Sequence, residues 1–297
     1  MTSAEYTKAV IPARHRRQAM DWSLVLLSQG IESTLETPPE GWALLVEPQD
    51  HPRALAVLRQ YQLENRGWRW PKTMPQITFH WGSVAWCVLL ALFHFADALS
   101  GLRLRDAGMM EPAAVQNGSW WRLFTATLLH FDLAHLMANL AFGFPIFGLA
   151  MGRYGPACAL LASALAGASG NLAGLLFRPR NFHGLGASGM VMGALGLLAV
   201  QSLSLALGPT TPATRKYMLG GLLGGLMLFA LFGLNPAADV IAHTGGFVVG
   251  LVLGTVMAWV PQQRLLSAPV NAACGAVLAV LIAVTWTLAL THVAPSP

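Results

Sequence analysis

Seven long apolar stretches constrain this chain more than any other feature of its sequence. A helix needs about 20 apolar residues to cross the hydrocarbon core of a bilayer, because each residue adds only about 1.5 Å of length. The stretches that meet this length are 77–99, 130–149, 155–177, 188–207, 217–234, 240–260 and 270–292. Because lipid offers no hydrogen bonds to an open backbone, these stretches predict an all-α, polytopic bundle of transmembrane helices.

Charged residues are concentrated before the first of these stretches. Seventeen of the 31 Lys, Arg, Asp and Glu residues lie between Glu5 and Lys72. This uneven distribution predicts a small polar domain that precedes a membrane domain. The predicted boundaries are a disordered lead over 1–14, a cytosolic α+β domain over 15–67, an interfacial linker over 68–76, a six-helix core over 77–260 and a seventh helix with a tail over 261–297.

The polar domain has the pattern of an α-β-β-α unit. Apolar residues recur at helical spacing over His15–Ser28, and Ile31–Thr37 and Trp42–Glu47 have the composition of strands. The turn between these strands is predicted at 38–41. Asp50 precedes a second helical pattern and is a candidate N-cap.

Lys and Arg residues in the short loops predict the topology. They are slightly more frequent on the side that holds the N-terminus, so we expect a cytoplasmic N-terminus. The segment 100–129 is too charged to span, and we expect a partly helical loop in the outer interface. The net charge of +5 comes from scattered residues, which does not indicate a nucleic-acid partner.

Polar residues from three stretches fall in one layer of the predicted bundle. The second, fourth and sixth stretches all enter from the outer side. Their first turns carry His135 and Asn139, Ser188, and His243, respectively. At about 1.5 Å of rise per residue, these side chains lie within roughly 10 Å of depth of one another. Polar side chains inside a membrane are costly, so this layer is a candidate functional site.

Glycines indicate how two of these helices pack. Gly246, Gly250 and Gly254 form a doubled GxxxG on the face that carries His243. Small residues let helix backbones approach closely, which would bring the Ser188 hydroxyl to the His243 imidazole. The alternative is that Ser188 is only a small packing residue. A second Gly-Ala-Ser-Gly, around Ser169, lies deeper without a matching histidine, and we assign it to packing.

Two further polar residues have supporting roles in this interpretation. His130 is expected to brace a loop. Asp239 is expected to cap the sixth stretch, and the alternative is that it orients His243. No HExxH occurs, and the three cysteines form neither a CxxC nor a disulfide framework, so no metal and no cofactor are expected.

These residues resemble the motifs of the rhomboid family of intramembrane serine proteases. The matching pieces are Trp121-Arg122, then His130 with His135 and Asn139, then Gly186-Ala187-Ser188-Gly189, then Ala242-His243-Thr244-Gly245-Gly246. The resemblance covers about 120–260. The seventh stretch is similar to the six-plus-one type, and the N-terminal unit looks like the cytosolic domain of some bacterial rhomboids.

The resemblance implies a role for each matching residue. Ser188 matches the nucleophile and His243 the general base, while His135 and Asn139 match side chains that stabilise the oxyanion with the Ser188 N–H. Gly186 and Gly189 belong to the motif that holds the serine. Met192 stands where many members have a tyrosine beneath the base, which predicts that sulfur and apolar contacts orient the imidazole. Met151 stands where many have a glutamate.

The expected activity is therefore intramembrane proteolysis by a Ser-His dyad in a multi-pass protein of a bacterial inner membrane. The expected partners are the lipid bilayer and transmembrane substrates cleaved near the outer face, with 217–234 as the access route; the oligomeric state is left open. One alternative is a catalytically inactive rhomboid-like protein that binds membrane clients. A transporter is disfavoured, because the stretches 155–177, 188–207 and 217–234 carry no internal charges that could line a path.

Overall fold

The chain contains two hydrophobic cores, and each belongs to a separate unit. The computed structural model describes residues 8–37, 41–65, 78–99, 103–203, 212–234 and 238–292. The two units are Met1–Pro75 and Gln76–Pro297.

The N-terminal unit is a three-stranded antiparallel sheet with two helices. Its elements are β1 (Ala9–Ala13), α1 (Arg16–Ser28), β2 (Ser33–Glu36), β3 (Trp42–Val46) and α2 (His51–Glu64). The strand order is β1-β3-β2, so β3 is central. Leu44 of β3 pairs with Ile11 and with Leu35, and the core contains Ile11, Leu26, Leu44 and Leu58.

Two predictions about this unit are wrong. Residues 9–13 were expected to be disordered with the rest of 1–14, but they form the edge strand β1, which buries Ile11. Asp50 stands at the start of α2 without capping it, because its backbone is already helical (φ −90°, ψ −11°) and its side chain accepts no N–H. The predicted turn over 38–41 lies outside the described residues except for Gly41, and the predicted linker over 68–76 lies entirely outside them.

The second unit is a bundle of apolar helices, which confirms the predicted fold class. Six helices within the described ranges are long and apolar enough to cross a membrane: α3 (Gly82–Leu99), α7 (Leu133–Tyr154), α8 (Pro156–Phe177), α10 (Pro212–Gly233), α11 (Val240–Ala258) and α13 (Ala268–Thr291). A seventh apolar helix, α9 (Ser188–Ala199), is shorter and continues as a 3-10 turn to Leu203.

The short helix α9 lies at the centre of this bundle. It contacts α7, α8, α10 and α11, and almost all of its residues are buried. A helix surrounded by protein can be shorter than the bilayer is thick, because its ends are covered by protein and not by lipid. Ser188 is therefore the first residue of a helix that is held on all sides.

The loop between α3 and α7 is partly helical, with α4 (Leu104–Gly108), α5 (Pro112–Gln116), α6 (Arg122–Thr125) and a 3-10 turn (Ala126–Leu128). Arg122 fixes its fold, because the guanidinium donates to the carbonyls of Met109 (2.7 Å) and Asp106 (2.8 Å). After a short helix α12 (Gln262–Leu265), α13 packs against this loop.

Both ends of α13 have specific contacts. At its C-terminal end the rings of His292 and Trp121 lie 4.9 Å apart, and Trp286 packs 4.9 Å from Phe93. Near its N-terminal end the Sγ atoms of Cys274 and Cys158 are 3.2 Å apart, and both are free thiols. The helix α13 therefore contacts both the loop that holds α4 and α6 and the start of α8.

Candidate active site

A single cavity brings together the polar residues singled out in the sequence. Its volume is about 810 Å³, and it opens between α7, α9, α10 and α11. The polar and charged side chains that line it are Asp132, His135, Asn139, Arg178, His183, Ser188, Asp239 and His243. Apolar side chains complete the wall, among them Phe142, Met192 and Phe232.

Ser188 is presented to this cavity by a fixed turn. Gly186 has φ +133°, a backbone conformation that side chains rarely allow, and its N–H donates to the Ala126 carbonyl at 2.9 Å. The next N–H, of Ala187, donates to Nε2 of the buried His130 at 3.4 Å. Since α9 begins at Ser188, the N–H of Ser188 has no acceptor within its own helix.

His130 lies beside the turn that precedes Ser188. It precedes the membrane-spanning helix α7, and its ring lies 5.2 Å from that of His135 in an edge-on arrangement. Burial, together with the neighbouring His135 and His94, lowers the pKa of His130 to about 3. A neutral ring is consistent with its role as the acceptor for the Ala187 N–H.

Glycines bring α9 and α11 into backbone contact. A Cβ added at Gly246 would lie 2.3 Å from the Gly189 carbonyl oxygen, and one at Gly250 would lie 2.2 Å from that of Gly193. One turn further, a Cβ at Gly254 would lie 2.6 Å from Val200. These distances leave no room for a side chain, so the doubled GxxxG faces α9 over three turns.

His243 lies in the first turn of α11 and is buried, with 4% of its surface exposed. The helix begins with Asp239, whose side chain accepts the Ala242 N–H at 3.2 Å. His243 Nδ1 lies 2.9 Å from the carbonyl oxygen of Gly233, the last residue of α10. Ser188 and His243 line the same cavity, and no hydrogen bond within 3.5 Å joins their side chains.

His135 and Asn139 line the cavity from α7, and His135 lies close to Ser188. A Cβ at Gly186 would lie 2.9 Å from His135 Nε2 and 3.8 Å from Ser188 Oγ. Both atoms therefore lie close to the same position beside Gly186. Asp132 caps α7 by accepting the His135 N–H at 2.7 Å. The amide nitrogen of Asn139 donates to the His135 carbonyl at 2.9 Å, and an amide nitrogen carries a second N–H.

Parts of this chain are similar to known proteins. The family model for the rhomboid domain matches residues 117–260, a range that holds all of these side chains. A rhomboid domain therefore occupies residues 117–260 of the chain. Relatives include the rhomboid protease GluP of Bacillus subtilis (31% identical; 54% of this chain, 31% of GluP) and the rhomboid protease GlpG of Salmonella newport (26% identical; 77% and 82%).

Two other relatives differ in how much of their length is matched. The putative rhomboid protease YdcA of B. subtilis is 29% identical, with 64% of this chain and 92% of YdcA covered. RHOMBOID-like protein 6 of Arabidopsis thaliana, a mitochondrial protein, is 32% identical, with 50% and 47% covered. The chain thus spans about a third of GluP and about half of the Arabidopsis protein.

This rhomboid departs from many members at Met192 and Met151. Met192 lines the cavity, and its Sδ would lie 3.3 Å from a Cβ at Gly233. The expectation that sulfur and apolar contacts alone orient the imidazole is wrong, because the Gly233 carbonyl makes a hydrogen bond with His243. Met151 is buried in the core next to Gly82 of α3.

Two features of this rhomboid's site escaped the sequence reading. Arg178, at the end of α8, forms an ion pair with Asp239 (2.7 Å), so the residue that caps α11 is also tied to α8. The Gly233 carbonyl is a backbone group, and no residue type in the sequence indicates that such a group will contact His243. Within the described ranges, no group of three or more His, Cys, Asp or Glu side chains has the arrangement of a metal site.

Proposed function

We propose that this rhomboid is an intramembrane serine endopeptidase. Ser188 is the nucleophile and His243 is the general base of a dyad. The observation that carries the proposal is the shared cavity, which Ser188, His243, His135 and Asn139 all line inside a bundle of apolar helices. Membership of a family whose relatives are mostly named proteases supports the same activity.

In the proposed reaction, the Ser188 oxygen attacks a peptide carbonyl carbon while Nε2 of His243 accepts the hydroxyl proton. The C–N bond then breaks, the amine leaves with that proton, and an acyl-enzyme remains on Ser188. Water attacks the ester with the same histidine as base, which releases the acid and restores the hydroxyl. The cavity of about 810 Å³ has room for this water.

The developing negative charge on the carbonyl oxygen requires preorganised donors. Three groups point to this role: the Ser188 N–H at the start of α9, the His135 imidazole and the second N–H of the Asn139 amide. Removal of one such donor typically costs about 10²- to 10³-fold in rate. Gly186, Gly189 and His130 hold the turn that aims the Ser188 N–H.

The proposed substrates are transmembrane segments, cut near the outer face after local unwinding. A substrate helix hides its peptide carbonyls in internal hydrogen bonds, so a segment that unwinds easily is favoured. We place the access route beside α10, which buries the smallest share of its residues among the six long helices (11%, against 44% for α8).

The location of the protein follows from its helices only in part. Six membrane-capable helices make it a multi-pass integral membrane protein. The proposed location is a bacterial inner membrane with a cytoplasmic N-terminus, based on the Lys and Arg distribution. The proposed domains are a cytosolic unit, a rhomboid core over 77–260 and a C-terminal seventh helix.

A second candidate is an inactive member that binds membrane clients. One observation favours it: the Ser188 hydroxyl has no hydrogen bond to His243 among the described side chains. Catalytic hydrogen bonds often tighten only when substrate is bound, so the two candidates must be separated by experiment.

The test is reconstitution of the full chain in proteoliposomes with single-span reporter substrates, followed by mass spectrometry of the fragments. A fluorophosphonate probe reports the reactivity of Ser188 separately. The proteolytic proposal predicts cleavage and labelling by the wild type and loss of both in Ser188→Ala. Ser169→Ala is the matched control, because that hydroxyl only donates to the Leu165 carbonyl of its own helix. A wild type that binds substrates but neither cleaves nor labels would leave the client-binding function.

A further inference from the structure

The hydrogen bond between His243 and Gly233 fixes which nitrogen of the imidazole carries hydrogen. The Nδ1 atom lies 2.9 Å from the carbonyl oxygen, and a carbonyl can only accept. Nδ1 is therefore the donor, and a neutral ring has only one N–H. The lone pair is left on Nε2, which is the atom that must receive the proton of Ser188.

The acceptor is a carbonyl that its own helix cannot use. Gly233 is the last residue of α10, and the last four carbonyls of a helix have no intrahelical N–H. A helix C-terminus also carries partial negative charge, which stabilises the imidazolium that forms during turnover. Gly233 is buried, so water does not compete for this carbonyl.

We propose that the Gly233 carbonyl is the positioning group of the base, and that His243 is oriented for catalysis only while the C-terminal end of α10 is packed in place. The inference rests on the proposed proteolytic function and deepens it. It assigns to α10 two linked tasks: admitting substrate and holding the tautomer of the base. A substrate that displaces α10 would leave His243 without its orienting hydrogen bond until the helix returns.

Only part of α10 is held by close packing against neighbouring helices. Part of the helix has no close neighbours, since a Cβ at Gly220 or Gly224 would meet nothing within 4 Å. The close contacts lie on one strip: Gly225 packs on Ala199 of α9, and the ring of Phe229 stacks 4.5 Å from that of Phe247 in α11. The carbonyl that orients His243 is attached to the end of this strip.

The space around Gly233 offers a direct perturbation. A Cβ there would lie 2.6 Å from the Phe229 ring and 3.3 Å from Met192 Sδ. Because the Phe229 ring is itself stacked on Phe247, we expect Gly233→Ala to shift the helix end, and with it the carbonyl. Gly275→Ala in α13 is the matched control, because its Cβ would make an ordinary 3.6 Å contact with Ala157.

The experiment measures kcat and KM for a single-span reporter in proteoliposomes. We expect Gly233→Ala to lower kcat by about 10- to 100-fold with KM unchanged, because a misplacement of about 1 Å can cost 10²-fold in rate. Gly275→Ala should stay within about twofold of the wild type. A kcat for Gly233→Ala equal to that of the control would overturn the inference.

A spectroscopic measurement on the wild type covers the case in which the variant does not fold. Nitrogen NMR of ¹⁵N-histidine-labelled protein in liposomes, with His243→Gln to assign the signal, reports the tautomer. The inference predicts hydrogen on Nδ1, and hydrogen on Nε2 would overturn it. If the wild type cleaves nothing, the proteolytic proposal fails while this measurement still decides the His243–Gly233 contact.

Discussion

Replacement of Gly246 by alanine tests whether close packing of α9 and α11 aligns the site. The added Cβ would lie 2.3 Å from the Gly189 carbonyl oxygen, whereas ordinary contact begins at 3.4 Å. The two helices must therefore separate by about 1 Å at this level, and close-packed interiors yield little. Ser188 precedes Gly189 and His243 precedes Gly246 by less than one turn, so the separation acts directly on the reacting atoms.

The expected result is a fall in kcat/KM of about 100-fold, together with a loss of stability of about 1–3 kcal/mol from overpacking. Reporter cleavage in proteoliposomes measures the first and thermal unfolding in detergent measures the second. Gly275→Ala, with its ordinary contact, should change neither by much. A Gly246→Ala variant that unfolds like the wild type and cleaves within threefold of it would refute the packing argument.

Three further outcomes follow from contacts outside the reacting atoms. A mild membrane-permeant oxidant should join Cys158 to Cys274, because their Sγ atoms are 3.2 Å apart; mass spectrometry should find two hydrogens lost, and a Cys274→Ser variant that loses the same mass would contradict it. Arg178→Ala should lower stability by at most about 1 kcal/mol, because its ion pair with Asp239 is partly exposed; a thermal-unfolding loss above about 3 kcal/mol would show a larger role. The free energy of unfolding should fall as the pH is lowered from about 6.5 to about 3, because His130 takes up a proton in the unfolded chain. In the folded protein its pKa is lowered to about 3, so the ring stays neutral over this range. His130→Gln should flatten this part of the stability profile, and equal slopes for the two proteins would count against it.

The helices of the membrane unit could be predicted because apolar length is a strong and local signal. The starts of α8 and α11 fall within a residue or so of the predicted stretches, 155–177 and 240–260. The strand β1 could not be predicted in the same way. Five residues with a proline among them carry no clear pattern, and only pairing with β3 makes them a strand.

The candidate site divides along the same line. Glycine spacing and matching depth were sufficient to suggest that Ser188 and His243 face one cavity. The orienting carbonyl of Gly233 and the ion pair of Arg178 depend on where the ends of α10 and α8 fall in space. Such contacts join segments far apart in the chain. The residues that flank Gly233 or Arg178 in the sequence form no pattern that predicts them.

The position of α13 has a consequence for how the protein is made. Its aromatic side chains pack on the loop that holds α4 to α6, yet α7 to α12 are synthesised between that loop and its partner. During translation Trp121 has no contact with α13 until the seventh helix has left the ribosome and inserted. A nascent chain stalled before Ala268 would therefore carry His135, Asn139, Ser188 and His243, while Trp121 of the neighbouring loop still lacked its contact with His292.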